Sequence, residues 1–246
     1  MKRFMLTIAY DGTAYSGFQI QKNHQTIEGE LQRCLCEILK EEIHVIGGSR
    51  TDAGVHALCN VAVFDSKTNI PPEKLSYAIN QRLPQDIRIM NSKEVPCDFH
   101  PRHCDTKKTY EYRITRGEFP IPTKRLYTYF TYHNLDLEKM QEAADFLTGE
   151  HDFKSFCAAA AIVESTVRTI YSITVREEKE DIVIQVCGSG FLYNMVRIIA
   201  GTLMEVGKGK WEPETILDIL NARDRKKAGP TAPACGLTLI KYEFVG

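Results

Sequence analysis

Phe4-Met5-Leu6-Thr7-Ile8-Ala9-Tyr10-Asp11-Gly12 decides how the chain begins. Phe4, Leu6, Ile8 and Tyr10 alternate with other residues, the two-residue period of a strand with one buried face, and Asp11-Gly12 ends it as a turn. The basic start Met1-Lys2-Arg3 is that of an export signal, but the run behind it alternates, so it reads as a first strand. Working outward, Thr26 caps a helix whose apolar positions Ile27, Leu31, Leu35, Ile38 and Leu39 recur at helical spacing. Ile43 to Ile46 is a short strand running into Gly47-Gly48, and Cys59, Val61 and Val63 mark another. Pro71-Pro72 opens a helix through Leu75, Ala78, Ile79 and Leu83, and Ile87, Ile89 and Val95 follow as a strand. The order is β-α-β-β-α-β.

The rest repeats this pattern with additions. Tyr110, Tyr112 and Ile114 alternate, and Leu126 to Tyr132 is rich in strand formers. Asp136 caps a helix through Leu137, Met140, Ala144 and Leu147 that stops at Gly149. Strands are expected at Val167–Val175 and Ile182–Cys187, a long helix from Phe191 to Val206, a shorter one from Pro213, and a last strand over Leu237–Val245. The expected class is α+β: two ferredoxin-like (RRM-like) halves joined near residue 105, forming a continuous mixed or antiparallel sheet with helices on one side. The halves are expected to run over 1–105, carrying Asp52, and 106–246, carrying Tyr110 and Arg197, with a binding cleft between them.

Composition narrows the class. The 246 residues carry 31 Lys+Arg against 32 Asp+Glu and are 43% hydrophobic, which excludes disordered, collagen-like and coiled-coil chains. No stretch reaches the roughly 20 apolar residues of a membrane span; Cys157 to Val163 is short, and Arg197 interrupts the longest apolar helix. Eight cysteines in a chain of this size, with no export route, read as reduced thiols in a cytoplasmic protein. The net charge is −1, yet Pro101 to Arg125 carries +4 and Arg223 to Lys227 carries +3. Such runs form ordinary solvated faces or hold phosphates.

Chemistry concentrates in Gly47-Gly48-Ser49-Arg50-Thr51-Asp52-Ala53-Gly54-Val55-His56. In an extended loop Arg50 and Asp52 project to one side, and a guanidinium beside a carboxylate keeps the acid ionised. That suits a nucleophilic or basic carboxylate; a glycine-turned loop with an ordinary ion pair is the plainer alternative. Arg197 lies in a helix apolar on nearly every side and needs a partner there, whether Glu205, a carbonyl or Asp52. Tyr110 and Tyr112 share one face of a basic strand, either as core or as a platform for an unpaired base. Cys97, His100, His103 and Cys104 offer four zinc-type ligands, but their bunching around Pro101 argues against one ion between them, and no metal site is assigned.

Together these residues resemble the tRNA pseudouridine synthase A (TruA) family over most of the chain. The likeness runs through Tyr10-Asp11-Gly12 to Gly17-Phe18-Gln19, Arg50-Thr51-Asp52-Ala53-Gly54-Val55-His56-Ala57, and Leu83-Pro84-Gln85-Asp86-Ile87. It continues in Lys108-Thr109-Tyr110-Glu111-Tyr112, His151-Asp152-Phe153, Ser155-Phe156, Phe191-Leu192-Tyr193-Asn194-Met195-Val196-Arg197, and Ala232-Pro233-Ala234-Cys235-Gly236-Leu237. The resemblance implies isomerisation of uridine to pseudouridine in the tRNA anticodon stem-loop, at positions 38, 39 or 40, by a homodimer with no metal or organic cofactor. Asp52 then matches the catalytic aspartate, Tyr110 the active-site tyrosine, Arg197 the arginine paired with the aspartate, and Arg50 an arginine that helps extract the nucleotide. Thr51, Tyr112, Lys107, Lys108 and Arg102 are the expected substrate contacts.

Four positions depart from the family pattern: Ser49 for Gly, Asn60 for Gln, Pro101 for Ala and Phe18 for Trp. None removes a catalytic residue, and they leave room for a relative with a narrower or shifted choice of uridine. Two other classes of function stand beside the isomerase: a catalytically silent RNA-binding scaffold, and a metal-dependent hydrolase built on Cys97, His100, His103 and Cys104.

Overall fold

Strands and helices follow from the alternation and capping just described. The computed structural model describes residues 1–158 and 163–245; the apolar run Cys157 to Val163 lies partly outside them. The fold is α+β, and the chain divides into two compact units: Met1–Asp105 with Leu239–Gly246, and Thr106–Thr238.

The first unit begins with β1 (Lys2–Tyr10), whose Phe4, Leu6, Ile8 and Tyr10 are all buried. Helix α1 (Ile27–Leu39) starts where the Thr26 side chain accepts from the Gly29 N–H, satisfying one of the orphan donors of a first turn. Strand β2 is only Ile46–Gly47, shorter than the sequence implies, because Ile43 packs into the core without joining a ladder. β3 (His56–Ser66), α2 (Pro72–Asn80) and β4 (Ile87–Val95) complete the unit's βαββαβ order. β1 lies between β4 and β3 and is antiparallel to both, with β2 on the far side of β3. Leu31, Leu35, Leu75 and Ile79, all fully buried, supply the helical side of the core.

In the second unit, β5 (Thr106–Arg116) is antiparallel to β9 (Asp181–Gly188), which pairs with β8 (Val167–Glu178) and then β7 (Gly149–Asp152). β6 is only Tyr129–Thr131 and runs parallel to β5. Helix α3 (Leu137–Asp145) is capped by Asp136, which accepts from the Lys139 N–H, and α5 covers Thr215–Ala222. Helix α4 (Met195–Gly207) begins four residues later than its apolar pattern, since Asn194 sits in the left-handed region at φ 61° and blocks helix before it. Every residue of α4 except Arg197 is buried. Gly201 has no room for a side chain, because a Cβ there would lie 1.8 Å from the Pro230 carbonyl oxygen.

The final strand, β10 (Leu237–Phe244), belongs to the second half in the sequence reading. From Leu239 onward it joins the first unit, beside β3, where Tyr242 and Phe244 pack with Val95 and Phe99 over Met5, Val61 and Val63. The reason is apolar complementarity: those three buried residues lie on the face of β1 and β3 that α1 and α2 do not cover, and β10 supplies aromatic cover for them.

Candidate active site

The loop between β2 and β3 alternates as an extended segment does: Ser49 and Thr51 are buried, Arg50 is exposed and Asp52 half-buried. Arg50 and Asp52 therefore turn outward together, as their spacing requires. The inward pair is held by side chains from the sheet. Asn60 Oδ1 accepts from the Ser49 N–H at 3.2 Å and from the Val61 N–H at 2.8 Å, which fixes the amide's orientation. Its Nδ2 then donates to the Ser49 carbonyl and to the Tyr10 hydroxyl, both at 3.0 Å. The same hydroxyl and Thr51 Oγ1 bond each other at 2.7 Å. Burial pushes the Tyr10 phenol well above its ordinary range, so the proton stays on it.

A second loop laces across the first. Phe18 N–H donates to the Thr51 carbonyl at 3.0 Å, and Gly54 N–H to the Tyr15 carbonyl at 3.3 Å. This crossing requires Gly17: it adopts φ +93°, and a Cβ there would stand 2.7 Å from the Thr51 oxygen. Phe18, Ser49, Asn60 and Pro101 come together here. Phe18 covers Gly47, Ser49 and Asn60 bond each other, and Tyr242, against Gly48, donates to the Pro101 carbonyl. Arg102 Nε donates to the Gly47 carbonyl at 2.9 Å, so this expected phosphate contact also braces the loop.

Among the described residues, Ser49 Oγ is the one buried side-chain nitrogen or oxygen that makes no hydrogen bond. An unsatisfied buried hydroxyl costs about 1–3 kcal/mol. Ser49→Ala should therefore raise stability by about 1 kcal/mol. A rise in melting temperature of about 2–4 °C in thermal unfolding would register it, and a fall would show that the hydroxyl does bond in solution.

In the second unit, Tyr110 is buried on β5 and meets the Phe191 ring edge-on at 5.2 Å. Tyr112 differs from its expected role: it is fully buried and its hydroxyl donates to the Pro233 carbonyl at 2.9 Å, so it offers no ring face to a base. It acts instead on the segment that holds Arg197. Arg197 Nε donates to the Ala232 carbonyl at 2.7 Å, the Arg197 carbonyl accepts from the Ala232 N–H at 3.1 Å, and Nη1 donates to Asn194 Oδ1 at 2.9 Å. The alternative partner, Glu205, is taken by Lys208 and Lys210 at 2.8 and 2.6 Å. A carbonyl, the second option of the sequence reading, is thus one of the groups that hold Arg197.

The basic runs are less available than their counts imply. Arg113 pairs with Glu111 and Glu178, Arg116 with Glu177, Lys124 with Asp181, and Arg223 with Asp152. Lys107 is exposed and lies 5.1 Å from the Tyr171 ring centre, while Lys108 is half-buried on β5. The zinc-type side chains around Pro101 engage other groups: His100 and His103 stack at 3.9 Å, and Cys104 Sγ points to the His100 carbonyl. Among the described residues no three His, Cys, Asp or Glu side chains are grouped to hold a metal ion.

A family model described as tRNA pseudouridine synthase matches residues 6–103 and 143–245. The chain belongs to the TruA family. It is 46% identical over 244 residues to "tRNA pseudouridine synthase A" of Thermoanaerobacter sp. (strain X514), covering 99% of this chain and all of that one. To "tRNA pseudouridine synthase A 2" of Clostridium tetani it is 48% identical over 236 residues, 95% of each chain. Its likeness to the solved archaeal box H/ACA sRNP Nop10-Cbf5 complex is remote: 14% identity and a TM-score of 0.35 over 92% of this chain and 60% of that one. As a TruA member the chain is an isomerase acting on tRNA. Among the described residues, no helix of this TruA chain is long and apolar enough to cross a membrane.

Proposed function

We propose that this protein converts uridine to pseudouridine in the anticodon stem-loop of tRNA, at positions 38, 39 or 40, with Asp52 as the reacting carboxylate. The observation that carries the assignment is the outward alternation of Arg50 and Asp52 on a loop whose inward residues are held from the sheet, Ser49 by its backbone and Thr51 by its hydroxyl. A carboxylate held this way has its reach fixed before substrate arrives. The reaction is an isomerisation: the N1–C1′ bond breaks, a C5–C1′ bond forms, the proton leaves C5 and N1 gains one. Asp52 serves it by attack on the sugar, by attack on the base, or by taking a proton from C2′; each route needs the ionised form. In this reading Arg197 is the cation that keeps Asp52 ionised, Tyr110 stacks on the detached base and accepts a proton, and Arg50 helps the nucleotide leave its stack. That extrusion costs a few kcal/mol and is least costly near a loop. Lys107, Lys108 and Arg102 lie toward the backbone, and the enzyme works as a homodimer in the cytoplasm.

The test incubates the full chain with unmodified tRNA in EDTA and maps pseudouridine by carbodiimide-dependent primer extension. Stops at positions 38 to 40 are expected. Product elsewhere in the tRNA would revise the substrate, and tight binding without any product would replace the isomerase by a silent RNA-binding scaffold.

A further inference from the structure

We infer that Tyr10 and Asn60 are positioning residues that set the catalytic loop, acting on Asp52 through Thr51 and Ser49. This rests on Asp52 being the reacting carboxylate, and it gives Thr51 a role other than direct contact with RNA. The bonds form a chain: Asn60 Nδ2 donates to the Tyr10 oxygen, and the Tyr10 and Thr51 hydroxyls bond each other. Asn60 also holds both backbone polar groups of Ser49. The residues on either side of Arg50 are therefore tied to one buried amide, and Thr51 is the residue bonded covalently to Asp52.

Asn60 and Tyr10 stand on β3 and β1, whose ladder pairs Ile8 with Asn60 and Tyr10 with Ala57 across an irregularity in register. Tyr10, two residues beyond Ile8, stands diagonally from Asn60, and its hydroxyl accepts from the Asn60 amide on the neighbouring strand. Asn60 is fully buried, and Tyr10 and Thr51 are 5% and 7% exposed. None of the three offers an open polar surface to a nucleic acid. Their bonds bear on the backbone of the loop, and displacing a reacting group by about 1 Å costs on the order of 100-fold in rate.

The experiment measures kcat and KM for pseudouridine formation, with melting temperature, for wild type, Tyr10→Phe, Thr51→Val, Thr51→Ser and the Tyr10→Phe/Thr51→Val double variant. Tyr10→Phe keeps the ring against Phe18, 6.1 Å away, and removes only the hydroxyl. Tyr10→Phe and Thr51→Val should each lower kcat by about 10- to 100-fold, with KM within about twofold. The double variant should lose no more than Tyr10→Phe alone, because Tyr10→Phe already deletes the bond that Thr51→Val removes. Thr51→Ser, which keeps the hydroxyl, should recover most of the rate lost in Thr51→Val. Wild-type kcat in Tyr10→Phe, or a loss in KM alone, would overturn the inference, as would a lowered melting temperature with kcat unchanged. Full activity of Asp52→Asn would overturn the reading of Asp52 itself, and the Tyr10 and Thr51 variants would still report separately on the loop.

Discussion

Asp52→Asn is expected to bind tRNA within about threefold of the wild-type affinity while forming pseudouridine about 10⁴-fold more slowly. Binding should survive because affinity for RNA comes mainly from phosphate contacts, and Asp52 adds none. The rate should collapse because a carboxamide neither attacks carbon as a carboxylate does nor accepts a proton near neutral pH. The folded loop should persist: Ser49, Thr51, Tyr10 and Asn60 keep every bond described for them. Filter binding and single-turnover product mapping on one preparation separate the two effects. A variant with equal rate would remove Asp52 from the reaction, and one that no longer binds would make it a contact residue.

Gly201→Ala is the second large effect, and it acts on the fold. A Cβ at this position would lie 1.8 Å from the Pro230 oxygen and 2.9 Å from the Pro230 carbon. Both obstacles are backbone, so no side-chain rotation relieves them, and the Gly229–Pro233 segment must lift from α4. That segment also places the Ala232 groups that hold Arg197. A loss of at least about 3 kcal/mol, seen as a fall in melting temperature of about 6–12 °C, is expected. Catalysis should weaken with it even well below the transition. Gly190→Ala is the control, since nothing lies within 4 Å of a Cβ there and it should melt with the wild type.

Periodicity made most of the framework legible. Alternation at Phe4 to Tyr10, caps at Thr26 and Asp136, and the apolar run of α4 each act within a few residues, where sequence speaks directly. β7 escaped because Gly149-Glu150-His151-Asp152 neither alternates nor carries β-branched residues; its strand conformation comes from pairing with β8. The site divides the same way. Arg50, Asp52 and the glycines could be read from one segment, but Thr51's bond reaches back 41 residues to Tyr10. The quenching of the basic run by Glu177, Glu178 and Asp181 comes from partners about sixty residues away. A charge count along the chain cannot see partners delivered by the β5–β9–β8 ladder.

The placement of Leu239 onward has a consequence for how the protein is made. The first unit contains the Asp52 loop, yet Tyr242, which packs against Gly48 and bonds the Pro101 carbonyl, is translated only after the whole of Thr106–Thr238. At ribosomal speeds that interval is on the order of ten seconds. Through it, the hydrophobic patch of Met5, Val61 and Val63 has Phe99 but lacks Tyr242 and Phe244. The nascent first unit thus carries the Asp52 loop without its last brace, and the loop receives that brace only once the second unit has been synthesised.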